Sequence, residues 1–289
     1  MWCNYEGGGF DLRLDLDFGR GLVAHVMLDN VSEEQYQQIS DYFVPLVNKP
    51  KLKSRDAIGQ AFVMATEVCP DANPSDLWHH VLYRIYIREK IGTDPSQSWV
   101  RTSGEAFEVA LVERYNPVLA RHGIRLTALF KGQKGLALTR MGVADRVGSR
   151  KVDVMIEKQG GGRSPDAEGF GVVGGIHAKV SLAERVSDDI PASRIMMGEG
   201  LLSVLSTLDV KSFPPPHGDL VNRGELGTPD RPSDKRNYIE GHGDFSACFS
   251  YNLRTSPSNA TTPSGRHIYV SGFSGQDDEF TDYLVAQLA

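Results

Sequence analysis

The chain has 289 residues, 40% of them hydrophobic and 24% charged, with a formal net charge of −6. That length supports a sizeable core in one large domain or two, and the mild acidity argues against an indiscriminate polyanion binder without excluding a specific one. No apolar run of about 18 residues is present to span a membrane, the first residues lack a secretory pattern, and Cys3, Cys69 and Cys248 are too scattered for a disulfide framework or a zinc site, so a cytoplasmic protein is expected.

Residues 10–18 alternate apolar and polar, the period of a half-buried strand. Ser32 to Gln35 reads as a capping box that opens a helix to about Val44. Residues 54–68 read as helical, and Asn73-Pro74-Ser75 starts another helix to about Lys90. Gly92-Thr93-Asp94-Pro95-Ser96 reads as a linker. Residues 1–95 are therefore expected to form a mainly helical N-terminal region, and residues 96–289 a second unit, the one that carries the resemblance described below.

In the second part, Thr102-Ser103-Gly104-Glu105 opens a helix with Ala106, Phe107, Ala110, Leu111 and Tyr115 at helical spacing. Strand-like pieces follow at 124–130, 151–157 and 170–180, the last two separated by an exposed turn at 160–166. A helix at 192–205, a strand at 208–211 and a loop over 213–235 come next. Helix, strands, helix, strand predicts an α/β fold with a mixed central sheet flanked by helices.

An apolar run beginning at Gly174 delivers one lysine, Lys179, and the pair Glu184-Arg185 follows five residues later. Asp153 begins the preceding strand, and two adjacent strands joined by a turn can set Asp153 and Lys179 within reach of one ion. Glu108 projects from the helix before them and Glu199 from the helix after. Three carboxylates and a lysine are the parts of a metal-dependent phosphodiester-cleaving site. Magnesium takes hard oxygen ligands and activates water, and lysine stabilises developing charge. Taken singly, any of these acids is more often a solvated surface carboxylate. Asp209-Val210-Lys211 is also a rival acid-x-Lys.

The run Thr102 to Glu108, the later Asp153 and the Lys179-to-Glu199 region resemble type II restriction endonucleases of the PD-(D/E)XK superfamily, in particular the NgoMIV- and BsaWI-like branch that recognises CCGG cores. The resemblance covers about residues 102–205. It implies a PD-(D/E)XK core, Mg2+-dependent double-strand cleavage of DNA, and active-site roles for Glu108, Asp153, Lys179 and Glu199, with the three acids toward the metal. In that branch one acid is displaced onto a helix after the lysine. Glu199 fits that place, although the intervening stretch is long and Asp188 or Asp189 could replace it. Val152 stands where the family has proline, and Ala178 where it has a Ser/Cys-type residue.

Relatives also carry an arginine-acid-arginine element that reads the core. Arginine binds guanine O6 and N7, and a carboxylate accepts from cytosine N4. Glu184 and Arg185 match its final pair, while Ala183 or Leu182 stands at the first arginine. Apart from the resemblance, an exposed helix-start ion pair is the plainer account of them, and the catalytic neighbours favour base reading. Double-stranded DNA as partner, a homodimer or higher oligomer and a bacterial or archaeal cell follow from the resemblance. Two other readings stay open: a repair or recombination nuclease of the same fold, and a non-catalytic DNA-binding module.

Overall fold

The computed structural model describes residues 3–8, 11–17, 23–92, 94–147, 151–183, 186–211 and 220–289. The N-terminal residues form a three-stranded antiparallel sheet, β1 (Cys3–Gly8), β2 (Asp11–Asp17) and β3 (Val23–Leu28), in that order. The sequence pattern revealed one of the three: Leu12, Leu14 and Leu16 alternate and are fully buried. Its neighbours lack so clean an alternation.

Helix α1 (Glu33–Val47) starts with the expected capping box. Ser32 Oγ accepts from Gln35 N, and the Gln35 side chain accepts from Ser32 N. Helix α2 (Ser54–Val68) has the bounds expected. The next helical stretch is interrupted: α3 (Pro74–Asp76) passes through a π-helical turn, Leu77–Leu82, into α4 (Tyr83–Glu89).

The expected linker is the start of a helix. Asp94 accepts from Gln97 N and Pro95 occupies the first turn, so α5 runs unbroken over Pro95–Leu119. Such an N-cap followed by proline pre-organises a helix start. Helices α2 and α5 touch closely: a Cβ on Gly59 would lie 2.9 Å from the carbonyl oxygen of Ala106. One apolar cluster runs from Leu12 through Phe62, Trp78 and Phe107 to Ile176 and Phe249. The division at 95/96 is thus not marked by a break in the core.

The central sheet contains β4 (Ile124–Ala128), β5 (Val154–Gln159), β6 (Phe170–Lys179), β7 (Leu202–Thr207), β8 (Ala247–Ser250) and β9 (Ile268–Val270), in that order. The first three are antiparallel and β6 to β9 are parallel, so the sheet is mixed. Helix α6 (Lys134–Met141) follows β4, and α7 (Val186–Gly198) crosses from β6 to β7. A single-turn α8 (Asp234–Arg236) and α9 (Glu279–Leu288) complete the fold. Side chains alternate across the sheet: Val154 and Ile156 join the α5 core, while Met155 joins the cluster under α6 and α7. The α/β architecture is the one expected.

Two local expectations fail in one place. The helix expected at 192–205 ends at Gly198, and residues 202–207 are a strand, so 208–211 is not one. An apolar run of this length suits either element, and Gly200 at φ +76° ends the helix early.

Glu157 fixes the β4–β5 edge. It is fully buried and holds Arg125 through two bonds of 3.0 Å, Arg140 at 2.8 Å and the Thr127 hydroxyl at 2.7 Å. Removing one partner of a buried ionic cluster strands the others. Glu157→Ala is therefore expected to destabilise the fold by about 3–5 kcal/mol, read as a lowered urea midpoint. A midpoint within error of the parent would contradict this.

Candidate active site

Asp153 sits directly before β5, and Lys179 closes the neighbouring β6. Antiparallel pairing of Val154 with Ile176 places Asp153 opposite His177. His177 and Lys179, two residues apart, then share its face of the sheet. Asp153 Oδ2 accepts from Ala178 N at 3.0 Å and lies 3.3 Å from Lys179 Nζ. Lys179 Nζ also lies 2.8 Å from Asp189 Oδ2 on α7. One ammonium is thus shared by two carboxylates, both under 10% exposed.

Burial alone would raise Asp153, but Lys179 and Lys134 outweigh it and hold the carboxyl below its ordinary value. Burial would likewise lower Lys179, yet Asp153 and Asp189 hold it up. Lysine stays charged in a place where an unpaired ammonium would not.

The sequence did not mark Lys134. Its Nζ lies 2.7 Å from Asp153 Oδ1, giving that carboxylate a second cation. Lys134 is the first residue of α6, where a positive charge opposes the helix dipole. The ion pair offsets that cost, and only the fold brings the two residues together.

Glu108, buried on α5, belongs to the same electrostatic neighbourhood. Burial first, and then the negative charge of Asp153, push its carboxyl up to about 8. Its Oε2 is buried without a hydrogen-bond partner among the described residues. A carboxyl in that state holds a proton, which a cation placed beside it would displace. Asp153, Asp189 and Glu108 together offer hard oxygen donors, the chemistry a magnesium-type ion takes. Among the described residues, no group of three or more His, Cys, Asp or Glu side chains is arranged to hold a metal ion. Magnesium commonly binds through one or two carboxylates, with waters and phosphate oxygens completing its shell. Asp153 and Asp189, buried side by side on Lys179, could supply that pair of carboxylates.

Glu199 is not brought to this cluster. It follows α7 at the opposite end of the crossover, where its carboxylate meets Arg146 at 2.8 Å and Arg163 at 3.3 Å. Leu202 pairs with Gly174, five positions along β6 from Lys179, which is roughly 17 Å of strand. The place beside the lysine belongs to Asp189, an alternative already open in the sequence. Asp188 is exposed.

Glu184 and Arg185 lie outside the described residues. The segment leading to them is pinned by Glu225, whose Oε1 accepts from Ser181 Oγ at 2.6 Å and Leu182 N at 2.8 Å. Lys235 holds the other oxygen at 2.6 Å.

The rival acid-x-Lys serves the structure instead. Asp209 is fully buried and accepts from Glu225 N at 2.6 Å and Thr255 Oγ1 at 2.8 Å. Burial raises its carboxyl to about 7. Because the folded value lies above the ordinary 3.8, its stabilising contribution is complete below that pH and lost as pH rises toward about 7. Asp209→Asn, permanently neutral, is expected to lack this loss. Melting temperatures at about pH 4.5 and about pH 7.5 should differ less in the variant than in the parent. An unchanged difference would remove Asp209 from the account.

His177 is fully buried, bonds Ser203 Oγ at 3.0 Å and stays neutral, burial lowering it to about 4. It packs the floor of the site, 3.8 Å from Asp189. No helix among the described residues is long and apolar enough to cross a membrane.

Residues 129–277, which include Lys134, Asp153, Lys179 and Asp189, match the family model described as BsaWI restriction endonuclease type 2. Among solved structures, the crystal structure of a pre-specific restriction endonuclease BsaWI–DNA complex is similar at 16% identity and a TM-score of 0.45, covering 87% of this chain and 92% of that one.

Proposed function

This chain belongs to the BsaWI type 2 restriction endonuclease family, and from that premise we propose that it is a Mg2+-dependent, site-specific endonuclease with a PD-(D/E)XK active site built on Asp153, Asp189 and Lys179. The observation that carries the reading is the shared ammonium: Lys179 contacts two buried carboxylates at the end of one strand. A purely structural ion pair does not need a second lysine on the same aspartate, nor an unpartnered glutamate beside it.

Asp153 and Asp189 would hold the ion, with Glu108 behind them. When bound, such an ion polarises the phosphate and makes an attached water more acidic. Lys179, kept charged by its two neighbours, donates to a non-bridging phosphate oxygen and stabilises the charge that develops there. Lys134 is the second cation on Asp153 beside Lys179, and is free to turn to DNA phosphate once that carboxylate is engaged. Glu225 orients the chain entering Glu184-Arg185, the pair we assign to reading a CCGG-like core. Ala183 stands at the place of a first arginine, so one guanine contact comes from elsewhere. A palindromic site calls for a homodimer or higher assembly, so that protein and DNA symmetry match.

Plasmid digestion tests this. Incubation with Mg2+ is expected to give discrete fragments that EDTA abolishes. A smear or junction-dependent cutting would favour a structure-selective nuclease, and binding without any cleavage would overturn the enzymatic reading.

A further inference from the structure

Beside Lys179, on the side facing the N-terminal helices, lies a cavity of about 410 Å3. That is within the ~300–1,000 Å3 range of small-molecule sites. Four rings line it: Trp78 and His79 from the π-helical turn, Tyr83 from α4 and Trp99 from α5. Lys179 and Lys211 supply positive charge to the lining. Residues from the N-terminal helices and from the catalytic strand therefore build one pocket.

Three features distinguish it from a packing defect. The His79 and Tyr83 rings lie parallel, 5.8 Å apart with a 4° interplanar angle, and burial keeps His79 neutral at about 4. A neutral imidazole thus lies along the Tyr83 ring, which also carries the Arg84 guanidinium 5.1 Å from its centroid. Val100, an apolar side chain, lines the cavity although 70% exposed. The wall is also held in a π-helical turn, a rare conformation that recurs at functional sites.

The occupant that suits these walls is flat, apolar on its faces and joined to a phosphate. A nucleobase has that chemistry, and aromatic side chains are its usual stacking platforms. A base paired within a duplex cannot enter a pocket. We propose that the cavity receives one nucleobase swung out of the duplex, from a nucleotide next to the phosphate held by Lys179. The inference rests on the nuclease reading of the same site. It gives the N-terminal helices a part in DNA recognition, because they supply three of the four aromatic walls.

Extruding a base costs unpairing energy, which is smallest where the pair is already broken. Binding is therefore measured without divalent ions on duplexes carrying a single mismatch at each position of the cleavage site in turn. One position is expected to bind about tenfold or more tightly than the matched duplex. Val100→Trp, which fills the mouth from an exposed position, is expected to erase that gain and to weaken mismatched-duplex binding more than matched-duplex binding. Tyr83→Ala is expected to reduce it. Mismatches that all weaken binding, or a gain that survives Val100→Trp, would overturn the proposal and leave the nuclease reading standing. Loss of all specific DNA binding in the parent protein would overturn both.

Discussion

Replacing Lys179 by methionine is expected to slow Mg2+-dependent cleavage by about 10²–10³-fold or more, while specific DNA binding stays within about tenfold of the parent. The substitution keeps much of the packing volume and removes the charge. Binding draws on many phosphate and base contacts, whereas stabilising charge at the scissile phosphate falls to one ammonium. The same change leaves Asp153 and Asp189 facing each other without the cation between them. Breaking a buried ionic group this way costs about 3–5 kcal/mol, so the variant should melt lower. A divalent ion would supply the missing charge, and the rise in melting temperature on adding Ca2+ should exceed that of the parent. Cleavage near the parental rate in Mg2+ would remove Lys179 from the reaction.

The second large effect separates two acids. Asp189→Asn is expected to cut activity on the order of 10²-fold or more, since even outer-shell partners of a metal site cost about 10–100-fold when lost. Glu199→Gln is expected to leave cleavage within about threefold, a change of under about 1 kcal/mol in barrier. Asp189 is 4% exposed and 2.8 Å from the lysine. Glu199 is paired with two arginines at the other end of α7. The reverse pattern, with Glu199→Gln inactive and Asp189→Asn active, would restore the assignment that the resemblance alone suggests.

Those two acids also mark where sequence reading reaches its limit. Asp153 and Lys179 were legible because strand period and pairing place them on one face. Choosing among Asp188, Asp189 and Glu199 requires the path of the chain between β6 and β7. The helix on that path begins at Val186, six residues earlier than the sequence pattern indicates. Lys134 carried no local signature, since its partner lies 19 positions away and on another element. Elsewhere the local chemistry sufficed: Ser32 and Gln35 fixed the start of α1. At Asp94 and Pro95 the cap was equally visible, but glycine and proline nearby read as a linker. The aromatic pocket had no local signature either, because its walls come from segments far apart in the chain.

Site-specific cleavage is tested by digesting plasmid DNA of known sequence with the protein and Mg2+ and sequencing every new end. The account expects all ends to fall at one recurring palindromic motif with a CCGG-like core, cut at the same position on both strands. Ends scattered without a shared motif, or the same ends in a parallel digest with Lys179→Met, would contradict it.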